Sequence, residues 1–278
     1  MDPVTGAILG IVQGATEFLP ISSSGHLVVA GHLLKTDVGA EEGSWAALAV
    51  LLHLGTLAAV VLYYRRDLCD MLLALFRRGA SRGQEQHRGP AAARRLLALI
   101  VVGTVPAALA GLGLERPLEH LFDPRHVGLV GTFLLVSGGL VYLAARVQVV
   151  DTAAEAMSWW DALLIGIGQA CALVPGVSRS GATIAVGRAC GLGDEAAPRF
   201  AFLLSVPAIL GGTIVELDSL RSLDMADISS YAVGFIAAML SGIVAIHIVI
   251  RTLQQRRFYI FAVYCWLLGG VLLLAELL

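Results

Sequence analysis

Six stretches of about 20 mostly apolar residues run along this chain, at residues 45 to 64, 95 to 114, 126 to 145, 198 to 217, 231 to 250 and 259 to 277. Each is long enough to cross the hydrocarbon core of a bilayer as a helix, and in hydrocarbon a backbone must satisfy its own hydrogen bonds. With 57% hydrophobic and 14% charged residues, the chain lies outside soluble-domain averages. It is therefore predicted to be an all-α polytopic membrane protein, with membrane lipids as its immediate partners. A net charge of −2 gives no basis for a nucleic-acid partner, and none is expected.

Charge placement orients the spans. Residues 65 to 95 hold eight arginines against three acids, which the positive-inside rule places in the cytoplasm. With each helix crossing once, segments 35 to 44, 115 to 125 and 218 to 230 fall outside, and together they carry nine acids and four bases. RTLQQRR, residues 251 to 257, then falls inside with three arginines, so the assignment is self-consistent. The four cysteines, Cys69, Cys171, Cys190 and Cys265, have no CxxC spacing and read as small buried hydrophobes rather than disulfides or metal ligands. The N-terminal MDPVTG has no basic n-region, and a cleaved signal peptide is not expected.

Two apolar regions, residues 4 to 34 and 160 to 192, do not fit single crossings. Each is a pair of half-length runs joined by a polar centre, LPISSSGH in the first and VPGVSRSGAT in the second. Laid over each other with a constant offset of 156, residues 10 to 31 and 166 to 187 are identical at seven of 22 positions, including Gln13/Gln169 and the Ser-x-Ser-Gly of both centres. Combined with the charge-derived topology, this predicts an inverted-topology repeat in which each half is a re-entrant helical hairpin plus three spanning helices. Residues 1–145 form the first repeat and 146–278 the second, within one membrane domain. Broken helices at matching positions of inverted repeats point to a site near the bilayer midplane, where irregular backbone persists only around protein or a water-filled cavity.

Two charges lie in these regions. Of the 19 basic residues, 18 can be placed in loops or at membrane ends; the exception is Arg179, and Glu17 is the deepest acid. An ion at that depth costs about 2.5–3.5 kcal/mol on insertion scales and needs a partner or a function. A pseudo-twofold axis would bring Glu17 and Arg179 into one cavity, as a reactive pair or as a structural one. Gln13 and Glu17 are four apart on one helix face, which suits a hard cation such as Mg2+ as well as a plain hydrogen bond. The second centre offers Arg179, the hydroxyls of Ser178, Ser180 and Thr183, and backbone amides at a turn that can open a helix, a set suited to phosphate. An unliganded serine cap is the plainer account. His26 follows Ser23 by three residues, a spacing that allows a base beside a hydroxyl; His53 and His247 read as ordinary structural histidines.

QGATEFLPISSSGHLVV together with PGVSRSGATI resembles the two signature motifs of the undecaprenyl-diphosphate phosphatase family, the bacitracin-resistance integral membrane phosphatases. The resemblance extends over nearly the whole chain. It implies hydrolysis of undecaprenyl diphosphate to undecaprenyl phosphate plus inorganic phosphate, recycling the lipid carrier for cell-wall synthesis. It also implies a divalent cation, Mg2+ or Ca2+, a place in the bacterial inner membrane, and an active site facing the periplasm. By motif position it assigns Glu17, Ser23, His26 and Arg179 to catalysis. Ser22, Ser24, Ser178, Arg179, Ser180 and Thr183 fall to phosphate binding, and Glu17 with Gln13 to the metal. Many members carry a second Glu where this chain has Gln13, which weakens a two-carboxylate metal site. Ser23 as nucleophile with His26 as base, and His26 as nucleophile or acid, both remain open, and a homo-oligomer is compatible with the motifs. The alternative from another class is a secondary transporter or lipid flippase, because inverted repeats with broken helices are transporter architecture.

Overall fold

The computed structural model describes residues 1–34, 42–76, 89–113, 127–223 and 227–277. Eleven α-helices occupy these residues: α1 Pro3–Phe18, α2 Ser23–Leu33, α3 Glu42–Tyr63, α4 Arg65–Phe76, α5 Pro90–Gly113, α6 Val127–Arg146, α7 Trp159–Cys171, α8 Arg179–Ala189, α9 Ala196–Val215, α10 Ile228–Gln254 and α11 Tyr259–Leu277. Six of them, α3, α5, α6, α9, α10 and α11, are long and apolar enough to cross a membrane, and they overlap the six apolar stretches. The chain is an all-α polytopic membrane protein. Both interrupted regions are pairs of short helices, α1 with α2 and α7 with α8, joined through the two polar centres.

Local chemistry sets the helix starts. The Asp2 carboxylate accepts from the amides of Val4 at 2.8 Å and Thr5 at 3.0 Å, ahead of Pro3 in the first turn. Ser158 and Asp161 form a reciprocal capping box on α7, with bonds of 3.1 and 2.8 Å.

The short helices are seated by close backbone approach. Gly6, Gly10 and Gly14 form one stripe of α1 that lies directly on α10. A Cβ on Gly10 would collide with the Gly234 carbonyl and come within 2.9 Å of the Ala237 Cβ; one on Gly14 would collide with the Ala238 carbonyl. On the other side α7 lies on α5, where a Cβ on Gly166 would stand 2.9 Å from the Gly103 carbonyl carbon. Gly10→Leu is therefore expected to lower stability by at least ~1–3 kcal/mol, the ordinary cost of overpacking, because rigid backbone stands opposite. Gly211→Leu is the control, since a Cβ there would meet no described residue within 4 Å beyond its own stretch of helix. Thermal unfolding of both variants in detergent measures the difference.

Two expectations need correction. The basic stretch after the first span is not all loop: its first twelve residues form α4, which buries Met71 and Ala74 and exposes Leu72, Leu73 and Phe76. Residues 77–88 of that stretch, and the outer segments at 35–41 and 114–126, lie outside the described residues. Two of the arginines at helix ends are drawn into ion pairs as well. Arg188 is 6% exposed, donates to the Ala144 carbonyl at 2.8 Å and the Val147 carbonyl at 3.2 Å, and pairs with Asp194, so it closes the carbonyl end of α6. Arg199 likewise pairs with Asp67 and, at 2.7 Å, with Glu155. Cys265 is buried and Cys190 half-buried, whereas Cys69 and Cys171 lie on the protein surface, so burial does not account for all four cysteines.

Candidate active site

The site forms where the two interrupted regions meet. Helix α1 stops at Phe18 because Leu19 precedes Pro20 and takes an extended conformation. The chain then turns through Ser22 at φ 67°, a left-handed conformation that costs a serine energy and that function or packing must hold in place. The second turn passes Gly176 at φ 90° and enters α8 through Ser178, whose hydroxyl accepts from the Gly181 amide at 3.2 Å. Ser137 on α6 braces this turn, accepting from the Ser178 amide at 2.9 Å and donating to the Gly176 carbonyl at 3.1 Å. The turns touch directly: the Ser180 hydroxyl donates to the Leu19 carbonyl at 3.2 Å, and a Cβ on Gly181 would sit 3.2 Å from that of Pro20.

Glu17, 7% exposed, is the hub. Its Oε1 is paired with the Arg179 guanidinium. Its Oε2 accepts from Ser23 Oγ at 2.7 Å and from Gln13 Nε2 at 3.0 Å. A small cavity beside it is lined by Glu17, Arg179, Ser180, Thr183 and Ser205, with the rings of Phe18 and Phe202 as its apolar wall. Those rings meet edge to face at 5.3 Å, which seats the charged pair against the core. The Arg179 side chain heads α8, where the helix dipole and free amides favour an anion.

The residues singled out in the sequence divide into those at the hub and those beside it. Gln13, Glu17, Ser23 and Arg179 are joined by direct contacts, and Ser180 and Thr183 line the cavity. Ser22, Ser24 and Ser178 are not among the lining residues. Ser22 and Ser24 pair their hydroxyls at 3.3 Å, and Ser178 serves as the cap of α8. His26 does not reach Ser23. Its Nδ1 donates to the Ser22 carbonyl at 2.8 Å, and its Nε2 is 2.6 Å from the Tyr264 hydroxyl, with the two rings stacked. Two residues at the site carried no sequence signal. Ser205 of α9 lines the cavity, and His53 of α3 directs Nε2 at Glu17 Oε2 from 3.7 Å. Which face of a spanning helix looks inward is set by its neighbours, and LLHLGT alone does not separate His53 from a packed histidine.

Fold and site together define a polytopic membrane protein built around a buried cluster of carboxylate, hydroxyl and guanidinium. The family model described as "Bacitracin resistance protein BacA" matches residues 6–271, and the chain belongs to that family. It is 41% identical to the undecaprenyl-diphosphatase of Syntrophotalea carbinolica over 95% of both chains. It is 42% identical to that of Desulfosudis oleivorans over 98% of both. The undecaprenyl-diphosphatase of Methanobrevibacter smithii is 37% identical over the full chain and 99% of the relative. These relatives are named for an enzyme, and the transporter alternative gains nothing from them.

Proposed function

We propose that the chain hydrolyses undecaprenyl diphosphate to undecaprenyl phosphate and inorganic phosphate at the Glu17 cluster, and so recycles the lipid carrier. The observation that carries this reading is the shared carboxylate: Glu17 accepts the Ser23 hydroxyl on one oxygen and holds Arg179 on the other. A hydroxyl bonded to a carboxylate is an activated nucleophile, and a guanidinium at a helix start binds phosphate through two parallel bonds. The Ser23 oxygen bonds to the terminal phosphorus as its proton passes to Glu17. The bond from that phosphorus to undecaprenyl phosphate breaks, and water then cleaves the phosphoserine to release inorganic phosphate. Arg179 stabilises the charge that develops on the transferring group, while the Ser180 and Thr183 hydroxyls, which donate to the Leu19 and Arg179 carbonyls, hold the turn that carries it. His26 bonds the Ser22 carbonyl and so holds the strained turn that presents Ser23.

The residues present fit a divalent cation: Gln13 Oε1 is buried without a hydrogen-bond partner, four residues from the Glu17 carboxylate. Bound by Glu17 and Gln13, the cation would offset the negative charge of the diphosphate. Mg2+ or Ca2+ is the cation that the family resemblance implies. The pairing of helices supports the inverted repeat, since α1 packs on α10 as α7 packs on α5, and α6 packs on α11. With the Arg-rich stretch inside, the cluster opens to the periplasmic side of the inner membrane and the polyprenyl tail lies between helices in lipid. The test is phosphate release from a polyprenyl diphosphate by the purified protein in detergent, with and without chelator. Ser23→Ala is expected to reduce the rate by about 10²- to 10⁴-fold. No release by the unaltered protein rejects the activity, and a Ser23→Ala rate within tenfold rejects the serine step.

A further inference from the structure

Tyr264 belongs to neither polar centre of the sequence, yet its hydroxyl lies 2.6 Å from a ring nitrogen of His26, at the first turn. The direction of that bond follows from the other side of the ring. His26 Nδ1 lies 2.8 Å from the Ser22 carbonyl, which can only accept, so Nδ1 carries the proton. The neutral ring then has its lone pair at Nε2, and the Tyr264 hydroxyl donates to it. Two bonds in series thus run from α11 through the imidazole to the carbonyl of Ser22, the residue held at φ 67°. The next residue along is Ser23, whose hydroxyl meets Glu17 Oε2 at 2.7 Å.

Core packing does not explain the pair. Tyr264 is 41% exposed, so its ring stands at the edge of the helix bundle. The ring stacks on the imidazole with centroids 5.6 Å apart and planes 17° from parallel, so stack and hydrogen bond together fix the rotation of His26. The next residue of α11, Cys265, is buried, and its Sγ donates to the Pro20 carbonyl at 3.4 Å. Two successive residues of α11 therefore hold the first turn on either side of Ser22. The second turn is held in a comparable way from α6, where Ser137 bonds both Gly176 and Ser178. Helices α6 and α11 are the third and sixth of the long apolar helices and pack on each other, so each turn is braced by one member of a contacting pair.

We propose that Tyr264 is a positioning residue for the reaction: through His26 it holds the strained turn at Ser22 and so fixes Ser23 against Glu17. This rests on the Ser23 step proposed above and gives Tyr264 no contact with the substrate. A hydroxyl that acts through the imidazole has no effect once the imidazole is gone, which separates this role from a direct or a purely stabilising one.

The experiment compares Tyr264→Phe, His26→Ala and the double variant as full-length protein in detergent. Tyr264→Phe keeps the ring and removes one hydrogen bond, so kcat for phosphate release should fall about tenfold while KM and the melting temperature change little. The double variant should match His26→Ala within twofold, because the hydroxyl has nothing left to act on. Two further readouts need no turnover. In nitrogen NMR of histidine-labelled protein, the signal missing from His26→Ala identifies His26, and its unprotonated nitrogen should move to higher frequency in Tyr264→Phe. Amide hydrogen exchange over residues 19–26 should quicken in the same variant and stay unchanged in the second turn. A kcat within twofold of the unaltered value, losses that multiply in the double variant, or a His26 signal that stays in place overturns the proposal. A nitrogen signal and an exchange rate that respond to Tyr264→Phe in a protein releasing no phosphate reject the phosphatase reading and leave the brace on the turn standing.

Discussion

Glu17→Gln is expected to reduce phosphate release by about 10²- to 10⁴-fold, the range that removal of a positioned proton acceptor commonly costs. The substitution keeps the shape of the side chain and removes its charge. An amide can offer its oxygen to Arg179, but its NH2 group then faces the Ser23 hydroxyl and the Gln13 nitrogen, both of which donate to the carboxylate in the unaltered protein. The Ser23 proton loses its acceptor, and Arg179 loses its counter-charge. Losing one partner of a fully buried pair costs ~3–5 kcal/mol, and Arg179 is partly exposed, so the loss of stability should fall below that range. Insertion depends on the six long helices and should persist. Phosphate release alongside thermal unfolding separates the two effects. A folded Glu17→Gln protein within tenfold of the unaltered rate would show that the carboxylate is structural.

The spanning helices were readable because length and apolarity suffice to define them, and the interrupted regions because serines, glycines and prolines stand where such helices should continue. Helix α4 was not: it is twelve residues long, opens with two arginines, and its helical pattern depends on a face packed against the protein. At the site, Glu17 and Arg179 stood out since a charge in an apolar segment needs a reason. The spacing of Ser23 and His26 permitted contact but did not decide it. The rotation of α2 gives Ser23 to Glu17 and His26 to Tyr264, a partner 238 residues away that no local pattern encodes. His53 and Ser205 were unreadable for the same reason. Arg188 resembled a helix-end base, and only the approach of the α6 carbonyls shows why it is buried.

Arg179→Lys tests the shape of the cation rather than its charge. Arg179 heads α8, and its position is fixed independently of its side chain: Ser178 caps the Gly181 amide, and the Thr183 hydroxyl donates to the Arg179 carbonyl at 2.8 Å. The guanidinium thus extends from a rigid turn, with one nitrogen on Glu17 at the edge of the cavity that Arg179 lines. A fork can hold the carboxylate and a phosphate at once, whereas an ammonium on a flexible stem is a single point charge. The lysine variant is therefore expected to fold with little change in melting temperature yet lose about 10²-fold or more in turnover. Arg179→Ala should lose ~10³- to 10⁵-fold, comparable to removing a transition-state arginine in other phosphoryl-transfer enzymes. The loss should appear mainly in kcat, because charge on the phosphoryl oxygens grows toward the transition state and an interaction made there lowers kcat directly. Steady-state kinetics on a polyprenyl diphosphate decide it. A lysine variant within threefold of the unaltered kcat removes the bidentate role, and a change confined to KM assigns Arg179 to binding the ground-state diphosphate instead.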